Sequence, residues 1–509
     1  MEMLYNKYSV HFRCLLGIVF IVCHNAIAQS NNHWSRNFNE ESSLLSGAVV
    51  GGGAGPAAIF YNPASISEIK ESKISLNASL FSFEFLNSSN TWGDEIDLKY
   101  SRGVIVPRFI SYMLKPKNHP KWSLEIAFLN NEDYKVEDTK SIDQNVDVLT
   151  KFEGTERYNT FYNYRNKYRD DWLGIGGSLQ LGPNLFIGTS MFASIKSRNY
   201  FYSVDIIAVP DSKNLLSDTL SYNSSSYTEH EYTKFNDYRL LFKIGLLYKK
   251  DNLSLGLNIT TSSIGNIYSD GKEVLRKKSQ GNITNPLNGL PIPDFLISDF
   301  RQKKEVRINA KSPFSVAGGI TYSNRKKSKT LYLTAEYFTG LDSYKLVQAN
   351  ENDSIGAGPY LDNFNNNEWL TFISGAKPVL NLGTGFRWIV KENLMILSGF
   401  RTDFNFRKDF NNESLNQTKS IKNFDIDKYH LTGGLNLRVM GQDLIAGLQY
   451  TLGYVKNQQQ FVNFSNPIEY NFNDFTALQG IRQYTMSTTF NAFTIYFGAT
   501  INLNKKTNN

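Results

Sequence analysis

Cysteine is nearly absent from this chain. Its 509 residues hold two, Cys14 and Cys23, and both fall within the first 28. Beyond that point no disulfide framework and no thiolate metal site can form. Histidine is scarce as well: only His33, His119, His230 and His430 lie past residue 28, scattered and without ligand spacing. No zinc site, catalytic or structural, and no other cofactor is expected. No run approaches the roughly 18 apolar residues of a membrane-crossing helix. The longest candidate, Gly47 to Phe60, is short and broken by glycine. Lys and Arg number 54 against 47 Asp and Glu, without the basic block of a nucleic-acid surface, so no nucleic-acid partner is expected.

The first 28 residues read as a secretory signal. Lys7 and Arg13 form its positive end, Cys14 to Cys23 its apolar core, and Ala26-Ile27-Ala28 a small-residue cleavage site. Bulky Val22 before Cys23 argues against a lipoprotein signal. An exported chain beginning near Gln29 is expected.

Aromatic residues are plentiful, 29 Tyr and 35 Phe, while mean hydropathy is −0.36. That combination suits strands apolar on one face only. From residue 73 the chain repeats one design: a long strand, a tight polar turn, another long strand, then a long polar loop. The tight turns fall at Lys115 to Pro120, Gly182 to Asn184, Lys249 to Asn252, Asn324 to Ser328, Lys391 to Asn393 and Gly441 to Asp443. Long loops are expected near 87–101, 137–157, 206–232, 276–299, 347–369, 411–424 and 457–484. Six turns and seven loops join about fourteen strands.

Alternation supports the count. Phe493, Ile495, Phe497, Ala499, Ile501 and Leu503 form one face of the last strand, with Thr494, Tyr496, Gly498 and Thr500 on the other. Leu444 to Gly453 and Tyr429 to Val439 repeat it. In hydrocarbon each unpaired backbone group costs several kcal/mol, so such strands must close into a barrel. The expected fold is all-β, an antiparallel transmembrane barrel over 73–504 with a tail at 505–509, placed in a Gram-negative outer membrane among its lipids. A soluble periplasmic or secreted β protein is the competing class, and the hairpin spacing argues against it. Trp122, Tyr248, Tyr322, Trp388 and Tyr454 fit interfacial girdles. Alternation blurs at Leu80 to Phe85 and at Pro107, where bulges or a lateral opening are expected.

Residues 29–72 lack strand alternation. Ser46 to Pro56 is too small and flexible for a wall, and it lacks the Gly-Lys-Ser/Thr ending of a phosphate-binding loop. The stretch Ala48-Val-Val-Gly-Gly-Gly-Ala-Gly-Pro-Ala-Ala-Ile-Phe-Tyr-Asn-Pro-Ala64 resembles the N-terminal signature of FadL-type outer-membrane proteins, with Asn62, Pro63 and Ala64 matching that family's triplet. The resemblance implies a fourteen-stranded barrel closed by an N-terminal hatch. It also implies passive uptake of hydrophobic or amphipathic small molecules, fatty acids by default. The chain departs from the usual terminal aromatic, ending Asn504-Lys-Lys-Thr-Asn-Asn509. Asn, Lys and Tyr usage suits a Bacteroidetes-type source, where FadL-like barrels also serve as subunits or shuttles of secretion and assembly machines. That gives the alternative function, with other envelope proteins as partners.

Alternation points Glu125, Arg239, Lys243, Glu336, Arg387, Arg401, Asp403, Arg407 and Arg438 inward. Arg239, Lys243, Arg387 and Arg401 are the candidates for holding a ligand carboxylate. The competing reading is that these charges pair with one another and with the hatch. Asn62 and Pro63 read either as a hinge or as a rigid turn. His430 faces inward, but spacing supplies no serine or acid partner for it, and no catalytic residue is expected.

Overall fold

The computed structural model describes residues 31–210, 224–285, 287–292, 299–349, 369–408, 419–439, 442–472 and 476–502. The expected signal (1–28) and C-terminal tail (505–509) lie outside the described residues, as do parts of several expected loops. No described helix is long and apolar enough to cross a membrane.

Fourteen strands close into one antiparallel barrel. They are β1 (Lys73–Ser89), β2 (Leu98–Leu114), β3 (Trp122–Val146), β4 (Glu156–Gln180), β5 (Leu185–Pro210), β6 (Ser225–Lys250), β7 (Leu253–Thr260), β11 (Ser315–Ser323), β12 (Lys329–Phe338), β15 (Val379–Lys391), β16 (Leu394–Asp403), β18 (Asp427–Val439), β19 (Gln442–Gln458) and β22 (Met486–Asn502). First and last strands pair from Lys73/Asn502 to Ser89/Ser487, which closes the ring and leaves no free edge at that joint. Five of the six tight turns fall between strand ends where their Gly, Pro, Asn and Lys placed them, and at the sixth β18 ends at Val439 and β19 begins at Gln442, with 440–441 outside the described residues.

The wall is strongly uneven in height. Strands β3 to β6 are 25 or 26 residues long, roughly 80 Å at about 3.3 Å per residue. By contrast β11, β12, β15 and β16 have 9 to 13. The expected loop at 137–157 is therefore largely strand, and only 147–155 turns. Along β4 the reason is visible: outward Leu173 and Ile175 are exposed, as lipid requires, whereas outward Arg165 and Lys167 above them pair with Glu137 of β3. The ladder continues beyond the bilayer with a charged outer face. Its inner face there is tyrosine, with Tyr158, Tyr162, Tyr164, Tyr200, Tyr202 and Tyr227 all buried.

Those tyrosines pack against a cap made by the ends of the short strands. A four-stranded inner sheet runs β10 (Arg307–Ile308), β13 (Leu341–Gln348), β14 (Phe372–Ala376), β17 (Lys419–Ser420), and Phe372 meets the Tyr200 ring edge-on at 5.9 Å. Two further strands, β8 (Ile264–Gly281) and β9 (Asp299–Lys304), extend the tall side from β6. A hairpin of β20 (Ile468–Asn471) and β21 (Thr476–Gln479) completes the cap. Glu469 on it accepts from the Thr150 and Thr284 backbone N–H groups, tying two loops together.

Leu, Ile, Phe and Val line the outer face below the cap, among them Leu246, Leu333, Leu382, Leu435, Leu448 and Phe497, each 39–61% exposed. Withholding each from water is worth about 1.5–3 kcal/mol. The expected girdle residues Trp122, Tyr248, Tyr322, Trp388 and Tyr454 are all 40–54% exposed.

Candidate functional site

Residues 31–72 pack against the inward faces of the wall. Asn32 bridges to Asn405, and its side chain donates to the carbonyl oxygens of Asp403 and Ile426. His33 is stacked between Phe338 and Phe406 at 4.0 and 4.1 Å. The Trp34 indole donates to Glu336 at 2.7 Å. Asn39 then caps a short helix, Glu40–Leu44, by accepting from the Glu41 and Ser42 N–H groups.

The small-residue stretch runs where the wall itself is small. A Cβ on Gly245 of β6 would overlap Asn62 Oδ1, and one on Gly319 of β11 would overlap the Gly51 backbone. Glycine at these two wall positions lets backbone lie directly on backbone. Within this contact Asn62, wholly buried, donates to the carbonyl oxygens of Val50 (2.9 Å) and Leu246 (3.0 Å) while its Oδ1 accepts from Ala64 N–H (3.1 Å). Pro63 follows as the first residue of the 3₁₀ turn Pro63–Glu68, where its missing N–H costs nothing. The triplet is thus a bracket between the segment and β6, with the geometry of the rigid turn.

The four basic candidates do point inward, and they are engaged separately. Arg239 is held by Asp237 (3.0 Å) and by the hydroxyl and carbonyl of Ser263. Arg387 pairs with Glu41 of the N-terminal segment at 3.1 Å and lies 5.7 Å from the Tyr332 ring centre. Arg401 is buried opposite His430 in the β16–β18 ladder. Lys243 sits 4.3 Å above the Phe60 ring and lines a cavity of about 20 Å³ with Trp34, Tyr61 and Glu336. Of the other inward residues, Glu125 accepts from Ile59 N–H at 3.3 Å, and Arg407 pairs with Asp425 inside the cap. Arg438 lies at the open rim, half-exposed, against Asp443. His430 is surrounded by Thr451 (2.8 Å), Gln449 (3.2 Å) and Asp403 (3.6 Å).

A different group of charges gathers at a break in the wall. The β2–β3 ladder runs only from Leu114/Leu124 to Phe109/Leu129. Above that level β2 stays paired to β1 up to Leu98, and β3 stays paired to β4 up to Val146, so the wall divides into a seam. Pro107, which has no N–H to contribute to a ladder, stands where the pairing ends, and Ile105 beside it is 67% exposed. The ladder is bulged at Leu80, but β1 keeps both neighbours there, so the wall is paired through 80–85, whereas the β2–β3 pairing is interrupted beside Pro107.

Across the seam, Arg102 of β2 bonds Glu84 of β1 (2.8 Å) and Asp133 of β3 (2.9 Å), and also donates to the Asp133 carbonyl (3.0 Å). From inside the barrel Arg36 reaches the same place, donating to Asn130 Oδ1 (2.7 Å) and to the Asp133 carbonyl (2.9 Å). Two guanidinium groups, one on the wall and one on the N-terminal segment, therefore converge on one β3 bulge at Asn130/Glu132. Behind them lies a cavity of about 50 Å³, bounded by Glu84, Asp133, Lys428, His430 and Phe490. Of this constellation, sequence alternation signalled only Pro107. Arg102 and Asp133 lie on different strands, and no spacing links them.

No family model matches the chain, and no curated protein matches it. Among solved structures, a Pseudomonas aeruginosa FadL homologue is similar with a TM-score of 0.51 at 11% identity, covering 94% of this chain and 100% of that one. The P. putida toluene transporter TodX (TM-score 0.48, 10% identity, 92% and 99% covered) and the CymD monoaromatic hydrocarbon channel (0.46, 10%, 92% and 98%) are also similar. The first likeness establishes a FadL-like fold, and the closed wall carries the exposed apolar belt of a barrel that sits in a membrane.

Proposed function

We propose that this barrel admits hydrophobic or amphipathic small molecules passively across the outer membrane, long-chain fatty acids being the default class. The observation that carries the reading is the seam between β2 and β3, where the ladder ends near lipid-exposed Ile105 and a cavity of about 50 Å³ lies on the inner side. In this reading residues 29–72 act as a hatch, and the chain is a carrier rather than an enzyme.

The described state is closed. Cavities of 20 to 50 Å³ hold a few waters, whereas small-molecule sites span about 300–1,000 Å³. Passage therefore requires the Arg36 and Arg102 contacts to part. An anionic head group competes for the same guanidinium donors as Asp133, since carboxylates accept charge-assisted bonds of like geometry. Its binding releases the seam and, through Arg36, tugs on the hatch. The apolar tail then lies along the seam beside Ile105.

The small size of these cavities also supports a second reading, a non-transporting barrel that serves as a subunit or shuttle of a larger envelope machine. The cap offers apolar side chains to solvent, Leu287 at 85% and Leu290 at 61% exposed. Co-purification from native membranes in mild detergent separates the two. A monomer carrying amphiphiles supports uptake. A lipid-poor barrel in stoichiometric complex with other envelope proteins supports the subunit role.

A further inference from the structure

Positive charge is segregated on this molecule. The strand-end stretches 70–73, 115–121, 249–252, 324–329, 391–393 and 438–443 contain thirteen Lys and Arg against four Asp and Glu, an excess of nine. The whole chain carries a formal +7, so this one rim exceeds the total. The rim is made of the six tight joins and the entry to β1, the end of the barrel that short turns assign to the periplasm. Lys117, Lys121, Lys250, Arg325, Lys326 and Lys327 are exposed there.

We propose that this rim is a binding ring for the phosphate groups of anionic phospholipids in the inner leaflet. Two features choose lipid over an acidic protein. First, depth: the basic turns adjoin the outward aromatics Trp122, Tyr248, Tyr322 and Trp388, residues that mark the head-group level. Lys329 lies 5.4 Å from the Trp388 ring centre, joining the two layers directly. Second, distribution: a cation stands at every join but the turn 181–184, and the net excess gathers at 115–121 (+3) and 324–329 (+4), two joins six strands apart in a ring of fourteen. A docked protein would meet one arc, whereas a lipid annulus meets the whole ring. Two rim cations already have carboxylate partners, Lys249 with Glu68 and Arg438 with Asp443. The tip Arg325-Lys326-Lys327 extends past the strand ends, into the phosphate layer.

The test uses the full mature barrel in nanodiscs of equimolar phosphatidylglycerol and phosphatidylethanolamine. Lipids retained on progressive delipidation are counted by native mass spectrometry. The wild type should retain phosphatidylglycerol about fivefold over its bulk ratio, the discrimination expected of a basic residue near an anionic surface. The variant Lys117→Ser, Arg325→Ser, Lys326→Ser, Lys327→Ser should lose most of that enrichment. Arg325→Lys, Lys326→Arg, Lys327→Arg, which keeps the charge, should retain it. Added 1 M salt should abolish it, since screening then acts over about 3 Å. Heat-modifiable migration reports that each variant is folded. Equal lipid ratios in wild type and serine variant overturn the proposal. So does an unchanged lipid ratio accompanied by loss of an acidic periplasmic protein from the native complex.

Discussion

Arg102 on β2 and Asp133 on β3 face each other across a wall that has no ladder between them, with Nη1 2.9 Å from Oδ1. A side-chain ion pair stands where backbone hydrogen bonds stand elsewhere in the barrel. Backbone pairing is worth several kcal/mol per group in hydrocarbon and opens only with the fold, whereas one ion pair can be exchanged for a ligand.

Replacing Asp133 with Asn should loosen the seam without unfolding the barrel. Arg102 keeps Glu84 and the backbone carbonyl of residue 133, while its bond to the 133 side chain loses its charge, a weakening of about 1 kcal/mol. The expected result is faster hydrogen exchange in β2 from Leu98 to Ile105 and raised entry of hydrophobic dyes, at unchanged heat-modifiability. Unchanged exchange and entry would show that the pair does not hold the seam.

Asn62→Ala removes one side chain that serves three backbone groups, leaving the Val50 carbonyl without its donor and cutting the tie to the Leu246 carbonyl of β6. At about 1–3 kcal/mol, exchange over residues 47–69 should accelerate roughly tenfold or more. Gly245→Val should act in the same direction for a steric reason, because its side chain would occupy the place of the Asn62 amide. Normal protection in both variants would mean that the bracket is incidental.

The cap should loosen in acid. Burial pushes the Glu229 carboxyl upward, but Lys419 and Lys278 outweigh it and hold the group well below the usual range. Glu231, facing Lys422 and Lys419, is likewise lowered against its burial. Burial brings Lys422 down to about 8, so it is charged at any lower pH. A carboxylate lowered in the fold contributes stability above its unfolded pKa of roughly 4.3 and loses it as pH falls through the folded value. Fluorescence of Trp369, whose carbonyl accepts from neighbouring Arg276, should therefore change reversibly below about pH 4. A signal flat down to pH 2 would contradict the assignment.

Much of the architecture was legible because a barrel wall is a period-two object. Lipid demands apolar residues at alternate positions, and the six turns carry Gly, Pro, Asn and Lys where chains reverse. Above the bilayer that demand ends. Glu137 to Val146 is mostly charged or small and polar, which reads as loop in sequence and forms strand in space. Inward Arg239 and Arg387 were placed on the correct face, yet orientation does not reveal partners, and theirs are Asp237 and Glu41. The Arg36, Arg102 and Asp133 cluster needed register, since it depends on where β2 leaves β3.

The most direct measurement is accumulation of a labelled long-chain fatty acid by cells that carry the barrel, compared with cells that lack it and with cells carrying Asp133→Asn. The account predicts faster accumulation with the wild type and faster still with the variant. Equal accumulation in all three, with the barrel folded in the outer membrane and recovered in fixed ratio with other envelope proteins, would contradict it.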